Sequence, residues 1–249
     1  MSQPSIVFLP GFMCDARLFA PQIEVMQAAG YDCAVGDLSR ACSIERLAKQ
    51  VLDDAPKRFA LVGLSMGGIV GLEICKQAPE RVTHLALLNT TARADSAGRA
   101  RKQQLSRVAS GDLDLVLKEE LKPQYLAPEN RTPERLETLE QMGIDLGENV
   151  FCRQTIALLI RASYLQFCET ILCPTLLIAG AQDQVCPVER HREIKMRIRG
   201  AKLRVLEGCG HISTLEQSEQ VNQAVLGLLS RPAARTTKSG THRLSVMSG

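Results

Sequence analysis

The chain has 249 residues and a mass of 27.3 kDa, long enough for one large core with room for an inserted subdomain. Hydrophobic residues make up 45%, an ordinary globular composition, and the formal net charge is +3. Four positive charges, Arg231, Arg235, Lys238 and Arg243, follow Ser230 with no acid among them, so residues 1–230 carry −1 and nothing supports a nucleic-acid surface.

Other classes drop out in the same way. The uncharged stretch Ala60–Leu72 is too short to span a bilayer, and MSQPSIVFLPGF has no basic residue ahead of its apolar ones. Neither a membrane span nor a signal peptide is expected. The nine cysteines are odd in number and scattered, without C-x-x-C or histidines at zinc-like spacing. They read as free, mostly buried thiols of a cytoplasmic protein.

In chain order, Ser5–Leu9 (SIVFL) predicts a buried strand that ends at Pro10-Gly11. Residues 17–29 read as a helix stopped by Gly30, and 32–35 as a second strand. Ser43 caps the next helix, in which Ile44, Leu47, Val51 and Leu52 recur at helical spacing until Pro56 ends it. A third apolar run, Phe59-Ala60-Leu61-Val62, leads into Gly63-Leu64-Ser65-Met66-Gly67-Gly68 and then an apolar helix. A serine on a sharp strand-to-helix turn needs small residues two positions either side to clear the neighbouring chain. The turn also sets its hydroxyl at a helix N-terminus, where unpaired N–H groups favour negative charge. The same glycines would suit a turn that only packs; the flanking strand and helix favour the reactive reading.

Val82–Leu88 (VTHLALL) reads as a fourth strand. From about residue 92 to 170 the strand signal disappears, and helices are expected over 97–110, 113–121, 132–142 and 149–167. Eleven basic and twelve acidic residues make this block charged but balanced. It is expected to form a helical lid, 92–170, inserted into a core of residues 1–91 and 171–230. Arg153 and Arg161 could bind a substrate carboxylate, though helix arginines are more often simply solvated.

Strand character returns at 175–179, followed by Gly180 and Asp183. A helix over 188–198, a sixth strand over 202–206, Gly208-Cys209-Gly210-His211 and an apolar helix over 221–229 complete the body. Residues 231–249 lack apolar periodicity and are expected to be a loosely held basic tail. His84 reads as a structural or partly exposed strand residue, His191 as a solvated one, and His242 falls in the tail. The alternation predicts an α/β fold: a mostly parallel sheet of about six strands with helices on both faces. Ligands to such sheets bind at the carboxyl ends of the strands, where Gly11, Ser65 and Asn89 lie.

Strand–GLSMGG–helix, then Gly180-Ala181-Gln182-Asp183, then Gly210-His211, resembles the α/β-hydrolase superfamily over residues 5–230. The resemblance implies Ser65 as nucleophile, His211 as general base and then acid, and Asp183 as the carboxylate that orients the imidazole. It also implies an oxyanion hole from the backbone N–H groups of Phe12 and Met66. The family's loop usually begins His-Gly; here it is Pro10-Gly11-Phe12, a change that spares a backbone donor. The superfamily can also carry its acid after the strand that follows the elbow, but that strand ends here in Asn89-Thr90-Thr91, and Asp95 reads as a helix-start residue. Asp183, 28 positions before His211, is left.

A neutral serine hydroxyl needs a base, histidine titrates near neutrality, and a buried carboxylate fixes its tautomer. The implied activity is hydrolysis of a small-molecule ester, thioester or lactone through an acyl-enzyme, with no metal or organic cofactor. The elbow is equally similar to those of enol-lactone and carbon–carbon hydrolases. Acyl transfer, perhydrolysis, cofactor-free oxygenation and non-hydrolytic ligand reception also use this scaffold. Substrate choice is expected to lie in the lid, through residues such as Leu105, Leu139 and Ile156.

Overall fold

The computed structural model describes residue 3, residues 5–94 and residues 97–233. Asp95 and residues 234–249, with the expectations attached to them, lie outside the described residues.

Six strands form one sheet: β1 (Ser5–Leu9), β2 (Cys33–Val35), β3 (Phe59–Leu64), β4 (Val82–Leu88), β5 (Thr175–Gly180) and β6 (Lys202–Leu206). Their order is β2-β1-β3-β4-β5-β6 and every neighbouring pair is parallel. Parallel strands require crossovers, and helices supply them: α1 (Ala20–Ala28), α2 (Ile44–Asp54) and α3 (Met66–Gln77) in the first half. The crossover from β4 to β5 is the long one. It carries α4 (Gly98–Val108), α5 (Leu113–Leu115), a π-helical turn Val116–Leu121, 3-10 turns Lys122–Tyr125 and Pro128–Asn130, and α6 (Pro133–Ile160). Helices α7 (Val188–Arg197), α8 (Ser213–Glu216) and α9 (Ser218–Leu229) follow.

The central strands are apolar at nearly every position because both faces are covered. Along β3, Phe59 and Leu61 enter one core, with Leu47, Val70 and Leu85. Ala60 and Val62 enter the other, with Phe8, Phe19 and Val225. Side chains two apart share a face, so the one apolar run feeds two cores. Leu9 pairs with Gly63, Leu64 with Leu88 and Gly180 with Leu206. The strand ends therefore come out level, and the loops after them meet on one edge.

Several boundaries differ from the sequence reading. Residues 133–160 are two helices that meet at Gly147, whose φ of 77° and ψ of 173° are not helical; the break expected between 142 and 149 is present, and the first helix runs past residue 142. The helix expected to reach residue 167 stops at Ile160. Arg161 turns extended, and the Tyr164 N–H instead donates to the Ala92 carbonyl at 2.7 Å, a tie to the end of β4 that local propensity does not encode. Leu139, expected on the substrate side, is fully buried in the second core. The Arg231 carbonyl lies 2.8 Å from His84 Nε2, so the first residue past Ser230 is attached to β4. Among the described residues no helix is long and apolar enough to cross a membrane.

Candidate active site

Ser65 lies between β3 and α3 with φ 54° and ψ −116°, a conformation that side chains other than glycine rarely adopt. Packing holds it there. A Cβ on Gly63 would sit 2.5 Å from the Gly67 carbonyl oxygen, and one on Gly67 would sit 1.9 Å from that of Leu9. One on Gly68 would meet the Thr90 side chain at 2.7 Å. Each small residue of the motif thus leaves room for another piece of backbone or for Thr90. The Ser65 N–H donates to the Leu88 carbonyl at 2.9 Å, and the Thr90 hydroxyl donates to the Ser65 carbonyl at 2.7 Å.

His211 follows β6, and its main chain is held on the Tyr125 carbonyl, which accepts from the N–H groups of His211 at 2.8 Å and Ile212 at 3.2 Å. Its Nε2 is 2.9 Å from Ser65 Oγ and its Nδ1 is 2.8 Å from Asp183 Oδ2. The ionised carboxylate can only accept, so Nδ1 carries the proton and Nε2 presents a lone pair to the serine hydroxyl. Gly180 and Gly210 let these loops approach: a Cβ on Gly180 would be 2.0 Å from the Gly210 oxygen.

Asp183 is buried, and burial works against its charge. The His211 ring, the Cys186 N–H and Asn89 outweigh that penalty and hold its pKa below the ordinary carboxylate value. Its Oδ1 accepts from the N–H groups of Val185 at 2.9 Å and Cys186 at 2.8 Å, and its Oδ2 also accepts from Asn89 Nδ2 at 3.0 Å. The structure brings Ser65, Asp183 and His211 into one connected line. Phe12 and Met66 flank it, Phe12 in the loop after β1 and Met66 as the first residue of α3, where N–H groups lack intrahelical partners. A Cβ on Gly11 would be 3.4 Å from Ser65 Cβ, so the loop runs directly beside the serine.

Other expectations change. His191 is fully buried, not solvated: its Nε2 accepts from the Thr90 N–H at 2.9 Å, and burial pushes its pKa down to about 4. His84 is buried as well, in keeping with the structural one of its two expected readings. Arg153 Nε donates to the Ser39 carbonyl at 2.8 Å, and Arg161 donates to the carbonyls of Arg93 and Leu158, so both direct donors into the fold.

Sequence reasoning sets Asn89 at the ligand edge without giving it a role, and it passes over Glu216. Asn89, at φ 46°, bridges Asp183 and the Gly210 carbonyl. Glu216 accepts from the N–H groups of Gly210 at 3.0 Å and Ile212 at 3.1 Å, either side of His211, and from Ala127 at 2.8 Å. The position of Asn89 at a strand end is the one available signal; Glu216 has none. Among the described residues no three His, Cys, Asp or Glu side chains are placed to hold a metal ion.

Known proteins resemble this chain in sequence or in fold. RutD of Klebsiella pneumoniae, named as a candidate carbamate hydrolase, is 31% identical over 73% of this chain and 70% of its own. A 2-hydroxy-6-oxononadienedioate/2-hydroxy-6-oxononatrienedioate hydrolase of a Pseudomonas species is 28% identical over 78% and 71%. The enol-lactonase of Burkholderia xenovorans superposes with a TM-score of 0.84, covering 93% of each chain at 22% identity, a likeness of fold. A sequence model described as the alpha/beta hydrolase family matches residues 6–224, nearly the whole body, and to that family this chain belongs.

Proposed function

We propose that the protein is a serine hydrolase that cleaves a small carboxylic ester, thioester or lactone through an acyl-enzyme. The observation that carries this is the unbroken line Ser65 Oγ–His211 Nε2–His211 Nδ1–Asp183 Oδ2, with steps of 2.9 and 2.8 Å. Ser65 Oγ attacks the acyl carbon while His211 Nε2 takes its proton, and Asp183 stabilises the imidazolium that forms. The tetrahedral oxygen is bound by the N–H groups of Phe12 and Met66. His211 then protonates the departing alcohol or thiol, and water deacylates Ser65 by the reverse route. The segment between β4 and β5 is the lid. Its Tyr125 packs 5.2 Å from the His211 ring and its Phe151 packs 5.2 Å from the Phe12 ring, so it touches both halves of the site.

A fluorophosphonate probe is expected to label Ser65 stoichiometrically, and Ser65→Ala to remain folded and unlabelled. Labelling elsewhere, or full turnover in Ser65→Ala, would remove the assignment. The relative from Pseudomonas favours a second reading, carbon–carbon cleavage of a ring-opened diketone acid. A screen of p-nitrophenyl esters of graded chain length, run beside such a diketone, separates the two. An ester burst supports the acyl-enzyme; turnover of the diketone alone supports the second reading. Tight binding without turnover of either would mark a receptor.

A further inference from the structure

Two buried polar side chains from the segment between β4 and β5 converge on one residue of the loop after β1. Met13 has φ 50°, a left-handed backbone that a non-glycine residue keeps only where its surroundings impose it. Its N–H donates to Gln154 Oε1 at 2.9 Å and its carbonyl accepts from Lys122 Nζ at 2.7 Å. Gln154 is anchored in turn, its Nε2 donating to the Leu38 carbonyl at 3.0 Å. Lys122 is wholly withdrawn from solvent and Gln154 nearly so.

A lysine in that place calls for a reason. Burial pushes its pKa below the ordinary lysine value, and this outweighs the Cys14 thiol at 3.7 Å and the more distant carboxylates of Asp15 and Glu140; the Tyr125 ring lies 5.0 Å away. Methionine would fill a similar volume without the desolvation penalty. What lysine adds is a charged donor aimed at the Met13 carbonyl. Met13 directly follows Phe12: its N–H lies in the Phe12–Met13 peptide and its carbonyl in the Met13–Cys14 peptide. The two bonds therefore pin both peptides on the carboxyl side of Phe12 and leave the Gly11–Phe12 peptide, which carries the Phe12 N–H, only the φ and ψ of Phe12 through which to turn. The same short turn reaches the other half of the site. Lys122–Tyr125 is a single 3-10 turn, and the Tyr125 carbonyl at its far end accepts from the N–H groups of His211 and Ile212.

We propose that Lys122 and Gln154 are positioning residues for the oxyanion hole: they clamp Met13 from both sides and thereby aim the Phe12 N–H at the acyl oxygen. This rests on the reading of Ser65 as nucleophile and of the Phe12 N–H as a hole donor. The clamp acts on the transition state more than on substrate binding, because the N–H is needed most when charge has developed on the oxygen.

The test uses the full chain with Lys122→Met and Gln154→Leu. Its main readout is the second-order rate of fluorophosphonate labelling at Ser65, which needs no knowledge of the substrate. Each variant is expected to lose about 10–100-fold in that rate, the scale of a hole donor misplaced by about 1 Å. On a p-nitrophenyl ester that the wild type turns over, kcat should fall by a similar factor with KM within about twofold. A purely structural role would lower Tm while leaving the labelling rate of the folded protein intact. If wild-type Ser65 is not labelled, the functional reading fails. If it is labelled and both folded variants react at the wild-type rate, the clamp alone is overturned. Should Lys122→Met not fold, Gln154→Leu decides by the same measurement. Failure of both to fold assigns the pair to the fold and likewise overturns the proposal.

Discussion

Asp183 holds a charge where burial opposes it, so its donors matter as much as its place in the line. Asp183→Asn keeps the shape, removes the charge and offers the imidazole an amide that favours the wrong tautomer. Turnover is expected to fall about 10³–10⁴-fold, judged from the equivalent change in a serine-protease triad, with the far-UV spectrum unchanged. A loss smaller than tenfold would place the acid elsewhere. His191 makes a different kind of prediction. Its pKa of about 4 in the fold lies below the ordinary 6.5, because burial disfavours the cation and Nε2 already accepts from Thr90. The unfolded chain takes up this proton near pH 6.5 and the folded chain only near 4. The contribution is therefore intact above pH 6.5 and is lost as pH falls towards 4. At roughly 1.4 kcal/mol per unit the whole step is about 3 kcal/mol. Urea unfolding at pH 7 and 4.5 measures it, and His191→Gln should flatten that part of the slope; an unchanged slope would point to other groups. The sequence makes Ser65, Asp183 and His211 legible because each stands near a glycine at a strand end. The roles of Asn89 and His191 are hidden because no local motif marks them, and only the fold brings them to Asp183 and Thr90, 94 and 101 positions away.

At the scale of elements, the glycines divide into those that make room and those that do not. Gly67→Ala would drive a Cβ to 1.9 Å from the Leu9 carbonyl oxygen, which only a shift of β1 or α3 could relieve. Lost fluorophosphonate labelling or insoluble protein is the expected result. Gly227→Ala in α9 is the counterpart, because nothing lies within 4 Å of the added Cβ. It should stabilise the helix by about 0.8–1 kcal/mol and raise Tm by about 2–4 °C. Equal melting of the two variants would contradict the packing described for the elbow. The strands are easily read because two-sided burial leaves continuous apolar runs such as Phe59–Val62. The segment between β4 and β5 is harder. Its helices are set by ties such as Tyr164 to Ala92, and the break at Ile160 has no proline or glycine to announce it.

At the scale of the molecule, the site is assembled from distant parts of the chain. Ser65 and His211 are 146 positions apart, and Lys122 reaches Met13 across 109. The sheet adds β6 at its edge, and His211 follows that strand after the turn Glu207-Gly208-Cys209-Gly210. Forming contacts so far apart is slow compared with forming helices. The serine motif, by contrast, is complete within one strand–turn–helix unit, long before its base is in place. On dilution from urea, helical circular dichroism should therefore return first, and pulses of fluorophosphonate should label Ser65 only with the slowest phase. Labelling that tracks the earliest helical signal would contradict this order. The consequence reaches back to synthesis: under the proposed mechanism, until β6 is laid against β5 the hydroxyl of Ser65 lacks His211, and a growing chain is expected to be chemically silent.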